Sequence, residues 1–176
     1  TVAGRLSSRV PVRLLIGPGL IMAGVGLLLM RDLDAGSSWT HLIPGMIVGG
    51  LGIGLVNPPL ASTAVGVVPP QRAGMASGIN STFRQVGIAT GIALLGTLFS
   101  NNVKDEVVTR VATVPGLSHQ GQQIAAAVQS GQIGHVIGKL PGPARQAVGM
   151  ITRAAFTAGL NRILLVAAII ALVSGA

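Results

Sequence analysis

The sequence predicts an all-α membrane protein with four transmembrane helices and a long polar segment before the last one. Three observations predict it. Of 176 residues, 49% are hydrophobic and only 9% are charged, against about a quarter charged in soluble domains. A chain this poor in charge cannot coat a water-facing globule, and its mean hydropathy of +0.70 matches lipid as solvent. Next, apolar runs without charge reach the length of a bilayer span, about 17–25 residues. Finally, there are 26 glycines, a residue more frequent in membrane helices than in soluble ones. Core helices of a large soluble protein are the alternative, and two charge-free runs of this length argue against it.

Taken in order, residues 1–13 form a basic loop carrying Arg5, Arg9 and Arg13. Residues 14–31 make the first span. Gly36-Ser37-Ser38 signals a loop, and Trp39 and His41 stand where an interfacial anchor would; Phe99 and Phe156 are the other aromatic markers. Residues 41–68 make the second span, interrupted by Asn57-Pro58-Pro59, where a kink or break is expected because proline removes an N–H and clashes with the preceding turn. Pro69-Pro70-Gln71-Arg72 closes it as a tight polar turn. Residues 73–99 make the third span, about 40 Å long as one helix. Residues 100–153 read as a water-exposed loop holding short helices near Gln120–Gln129 and Ala144–Ile151. Residues 154–176 make the last span. Thr1 is not an initiator methionine and Ala176 falls inside an apolar run, so a piece of a longer protein is expected.

Four spans put both ends on one side. The positive-inside rule weighs short loops most, so the side bearing Arg5, Arg9, Arg13 and Arg72 is the cytoplasmic one. The net charge of +8 does not imply nucleic acid. The twelve Lys and Arg fall between apolar runs, without cluster or aromatic interleaving, as membrane-flanking anchors do. There are no cysteines, which excludes disulfides, thiolate metal sites and cysteine nucleophiles. His41, His119 and His135 lack metal-ligand spacing. No nucleophile–base–acid set, P-loop or dinucleotide fingerprint is present. No enzyme, cofactor or metal is expected.

Glycines four apart recur at Gly45/Gly49, Gly50/Gly54, Gly74/Gly78 and Gly87/Gly91; such pairs let two helix backbones approach closely. Arg84 lies within the third span, with no Asp or Glu inside any span to meet it. An intramembrane arginine marks a pathway or an ion pair, or it snorkels to the interface. Asn57, Asn80, Ser81, Gln85 and Asn161 are polar groups within spans that bond across helices or line a cavity.

Three stretches together resemble a known family. Gly4-Arg5-Leu6-Ser7-Ser8-Arg9-Val10-Pro11-Val12-Arg13 is similar to the basic loop between the second and third helices of a major facilitator half, with Gly4, Leu6, Arg9 and Arg13 matching its pattern. Ser8 stands where that pattern has Asp, and Pro11 where it has a second Gly. Gly50–Pro59 and Arg72–Gly87 resemble the fourteen-helix drug:proton antiporter branch of that superfamily, as does the long loop before the last helix.

The resemblance implies that this is a C-terminal fragment carrying the last four of fourteen helices. The short loops would be cytoplasmic and residues 100–153 extracellular, in a bacterial inner membrane. It implies proton-driven multidrug efflux of small hydrophobic or cationic compounds, with this half rocking against a missing N-terminal half. The partners are then the bilayer, that half, the substrate and protons, with no nucleic acid and no cofactor. Asn57, Asn80, Arg84 and Gln85 are the pathway candidates, and Gly4, Leu6, Arg9 and Arg13 the conformational-loop motif. Proton coupling needs a membrane carboxyl group. All four acids lie in predicted loops, so that group is expected elsewhere in the protein. The alternative is a non-transporting polytopic scaffold or permease-like component.

Overall fold

A computed structural model describes residues 12–34, 36–114, 116–117, 119–138 and 140–176. Six α-helices occur among them: α1 (Arg13–Leu29), α2 (Ile43–Gly66), α3 (Ala73–Val111), α4 (Gly121–Gln129), α5 (Ile133–Gly138) and α6 (Gly142–Gly175). One-turn 3-10 segments, Trp39–Leu42 and Pro70–Arg72, lead into α2 and α3. Among the described residues, three helical stretches are long and apolar enough to cross a membrane: Trp39–Gly66, Pro70–Val111 and Gly142–Gly175. The remaining apolar helix, α1, has 17 residues, about 26 Å of rise. The chain divides into two compact units. One comprises α1, α2, α3 up to Leu94, and α6 from Leu164; the other comprises Asp32–Ser38 and Leu95–Ile163.

The first unit packs through its smallest residues. A β-carbon added to Gly19 would lie 3.0 Å from the Gly52 carbonyl oxygen, and one added to Gly26 would lie 2.6 Å from the Gly49 Cα. Gly26 also meets Gly45. Gly19 opposite Gly52, and Gly26 opposite Gly45, run in opposite chain directions, so α1 and α2 form an antiparallel hairpin. The opposite face of α1 repeats the device two residues out of step, about 200° round a helix. Gly17 meets Gly175, and Gly24 meets Ala168 and Leu172. Helix α1 is thus held on two sides by glycine seams of period seven, as small-residue packing between membrane helices requires. Large apolar side chains point outward instead. Phe83 is 73% exposed and Ile92 70%, and every residue from Ser81 to Thr90 is exposed.

The second unit inverts this pattern. Its core is Val103, Val107, Val111, Leu117, Ile124, Ala125, Val148 and Ala155, all buried. Phe99 and Phe156 pack edge-on at 5.0 Å between ring centroids. Branched residues thus fill the centre of this unit, while Met150 and Phe156 remain exposed at its surface.

Three expectations are corrected. The third helix does not end at 99, because Phe99, Val103, Val107 and Val111 recur every four residues and give its continuation a buried stripe. Glu106 and Arg110, one turn apart, add an ion pair at 2.6 Å. Asp105 and Glu106 therefore sit on helix, not loop. The last helix begins at Gly142 and not at 154, with Val148 and Ala155 buried against the same core. The predicted helix at 144–151 is thus its first part. Of the kink or break expected at Pro58-Pro59, the break does not occur, because helix α2 runs through both prolines. The cost falls instead on the Gly54 and Leu55 carbonyls, which lose their intrahelical donors.

Candidate functional site

The site forms where α2 and α3 present polar side chains to each other. Asn57 sits just before the proline pair on α2, half-buried. Arg84 lies on the part of α3 that carries the outward apolar residues. Its Nη2 donates to Asn57 Oδ1 at 3.1 Å, across 27 residues of chain. The guanidinium thus meets a neutral amide oxygen. That contact satisfies one of its five N–H donors and compensates none of its charge. Asn80 precedes Arg84 by one helical turn and so shares its face; it is half-buried. Gln85 is exposed beside Arg84, about 100° round the helix. Asn80 and Gln85 make no side-chain hydrogen bond among the described residues.

The proline pair shapes the surroundings of Asn57. Ser62 Oγ donates to the Pro59 carbonyl at 3.1 Å, while Pro58 and Pro59 withhold the N–H groups that would ordinarily reach the Gly54 and Leu55 carbonyls. The arrangement offers one cation and three side-chain amides among apolar neighbours. Such a surface can hold a polar or charged small molecule by hydrogen bonds. It contains no group able to carry out covalent chemistry, and no cluster of metal ligands occurs among the described residues.

The structure therefore brings Asn57 and Arg84 together, places Asn80 on their face and leaves Gln85 beside them. Gly4, Leu6 and Arg9 lie outside the described residues, and Arg13 is described only as the first residue of α1. Asn161 has a different task. Its Oδ1 accepts from the Leu33 N–H at 3.1 Å and its Nδ2 donates to the Leu33 carbonyl at 3.0 Å. This two-point bond fixes the turn made by Asp32, whose φ of 62° is left-handed. His41 Nε2 lies 3.0 Å from the Arg31 carbonyl oxygen. The partnership of Arg84 with Asn57 is absent from the sequence reading, although both residues stand out there. Two polar residues on consecutive spans were the available signal. The seams through Gly17, Gly19, Gly24 and Gly26 were missed because their spacing is seven, not four.

Glycine-seamed apolar helices with polar side chains facing each other define a multi-pass helical membrane protein. Residues 1–104, more than half of the chain, match the Major Facilitator Superfamily, and the chain belongs to that superfamily, one of membrane transporters and not of enzymes. It is 36% identical over 137 residues to the puromycin resistance protein pur8 of Streptomyces alboniger, covering 74% of this chain and 27% of that protein. Over 113 residues it is 34% identical to a probable actinorhodin transporter of Streptomyces coelicolor, covering 62% and 19%. Over 159 residues it is 28% identical to the multidrug efflux pump LfrA of Mycolicibacterium smegmatis, covering 90% and 30%. The chain thus spans less than a third of each of these relatives. No solved structure matches it.

Proposed function

We propose that the chain is the C-terminal part of a proton-coupled transporter that exports hydrophobic or cationic compounds across a bacterial inner membrane. One observation carries this: superfamily membership together with likeness to proteins named for antibiotic resistance and multidrug efflux. Four helices cross the bilayer in this reading, at residues 14–31, 41–68, 73–99 and 154–176. The glycine seams on both sides of α1 support counting it as a span despite its 17 residues. The buried valine and isoleucine core over 103–155 supports placing residues 100–153 in water on the extracellular side.

Asn57, Asn80, Arg84 and Gln85 line the substrate pathway in this reading. Asn57 holds Arg84 in place and Arg84 tunes the charge of the path. Gly4, Leu6, Arg9 and Arg13 form the cytoplasmic conformational loop. The four acids lie at Asp32, Asp34, Asp105 and Glu106, outside these spans, so the proton-carrying carboxyl group belongs to the preceding half. That half completes the transporter, and this chain does not transport alone.

The test is efflux of a lipophilic cationic dye from vesicles holding the complete protein. Efflux that follows an imposed proton gradient is the expected result. Dye retention that ignores the gradient, with protein present in the membrane, contradicts the proposal.

A further inference from the structure

The second unit holds another site, of different chemistry. A cavity of about 440 Å³ is lined by Gly36, Arg110, Met150, Ile151, Arg153 and Ala154. Its lining residues are apolar or glycine apart from Arg110 and Arg153; no acid is among them, and the nearest shown is Glu106, paired with Arg110. Arg110 spends its Nε on Glu106 at 2.6 Å, which leaves its terminal nitrogens as donors. Arg153 has no side-chain hydrogen bond or ion pair among the described residues. The other acids of this unit, Asp32, Asp34 and Asp105, are not among the lining residues; the Asp34 backbone N–H bonds to Ser37 Oγ at 2.8 Å. Met150 is 62% exposed beside these cations, an expensive position for a large apolar side chain in water.

Two guanidinium groups at one cavity select an anion, preferably one with paired oxygens such as a phosphate diester or carboxylate. A free anion would leave the Met150–Ile151–Ala154 wall unused. An anion joined to a hydrocarbon chain uses both halves of the cavity. The proposed last span begins directly after Arg153, which sets this residue at headgroup depth. Arginines at that depth attract anionic lipid.

We propose that this cavity binds the headgroup of an anionic phospholipid, with the phosphate on Arg110 and Arg153 and the first acyl carbons on Met150, Ile151 and Ala154. The proposal rests on the membrane placement above, not on export of any compound. Its failure and a failure of the efflux assay are therefore separate outcomes.

The experiment titrates the complete protein, purified in detergent, with phosphatidylglycerol and with phosphatidylcholine, and reads bound lipid by native mass spectrometry. Phosphatidylglycerol should bind more tightly. Arg153→Gln and Arg110→Gln should each weaken it about fivefold. Met150→Glu, which sets a carboxylate at the mouth without removing an arginine, should abolish the preference. Arg145→Gln, in the same unit but bonded to the Gly138 carbonyl instead, should change nothing. Excess inorganic phosphate should leave the lipid bound. Equal binding of the two lipids, unchanged binding in Arg153→Gln and Met150→Glu, or displacement by inorganic phosphate overturns the proposal.

Discussion

Arg84 donates to an amide oxygen where a carboxylate would have neutralised it. A hydrogen bond to a charged group contributes about 1.5–3 kcal/mol, enough to fix the side chain but not to cancel its charge. If Arg84 lines the pathway with Asn57 as its holder, Arg84→Ala should abolish efflux while membrane abundance stays at wild-type level. Asn57→Ala should lower the efflux rate about tenfold. Unchanged efflux in Arg84→Ala would support the snorkelling reading.

Glycines give a second contrast at this scale. Gly26→Ala would drive a methyl group to 2.6 Å from the Gly49 Cα, whereas Gly54 faces open space. Overpacking against backbone costs about 1–3 kcal/mol. Gly26→Ala should therefore lower the unfolding temperature in detergent, and Gly54→Ala should leave it unchanged or raised.

At the scale of elements, α3 and α6 set the architecture. Their 39 and 34 residues give about 58 Å and 51 Å, well beyond the roughly 30 Å of a hydrocarbon core. Their excess lengths carry the valine stripe that α4 caps through Ile124. Ile124 is fully buried, and an Ile→Ala change in a core costs about 2–5 kcal/mol. Ile124→Ala should raise hydrogen exchange across residues 103–111 and 121–129 while leaving α1 and α2 protected. A uniform rise in exchange would contradict two separately cored units. Asn161→Leu should release the turn at Asp32–Leu33 and raise exchange at the Leu33 N–H.

These elements were legible in the sequence to different degrees. The apolar runs, the turn at Pro70–Arg72 and the short helix near 121–129 announce themselves by charge, proline and glycine. The continuation of α3 does not, because Lys104, Asp105, Glu106 and Arg110 give it a loop-like composition and only every fourth residue is buried. Pro58-Pro59 reads as a kink or break, yet the helix continues through both prolines, which withhold two backbone donors. Of the glycine pairs, Gly45/Gly49 packs against α1, while Gly50/Gly54 faces open space. Spacing alone does not tell a packed face from an open one. The Arg84–Asn57 contact is a tertiary fact, and its residues were visible as polar exceptions but their pairing was not.

At the scale of the whole molecule, the two units obey opposite packing rules. One buries mainly glycine and alanine, with Leu15, and leaves many leucines and isoleucines exposed; the other buries valine, Ile124 and Leu117 together with alanine, and exposes Met150 and Phe156. In the proposed reading the first unit lies in lipid and the second in water, and this contrast is what a bilayer would impose on them. The absence of cysteine from this chain makes the claim open to direct measurement. Single cysteines would be placed by Gln122→Cys in α4, Ile92→Cys in α3 and Gln71→Cys in the turn before α3. Each would be made in the complete protein with its other cysteines removed, and probed in intact cells with a membrane-impermeant maleimide. The account predicts labelling at 122, none at 92 even after the membrane is opened, and labelling at 71 only after opening. Labelling at 92 as ready as at 122 would contradict it.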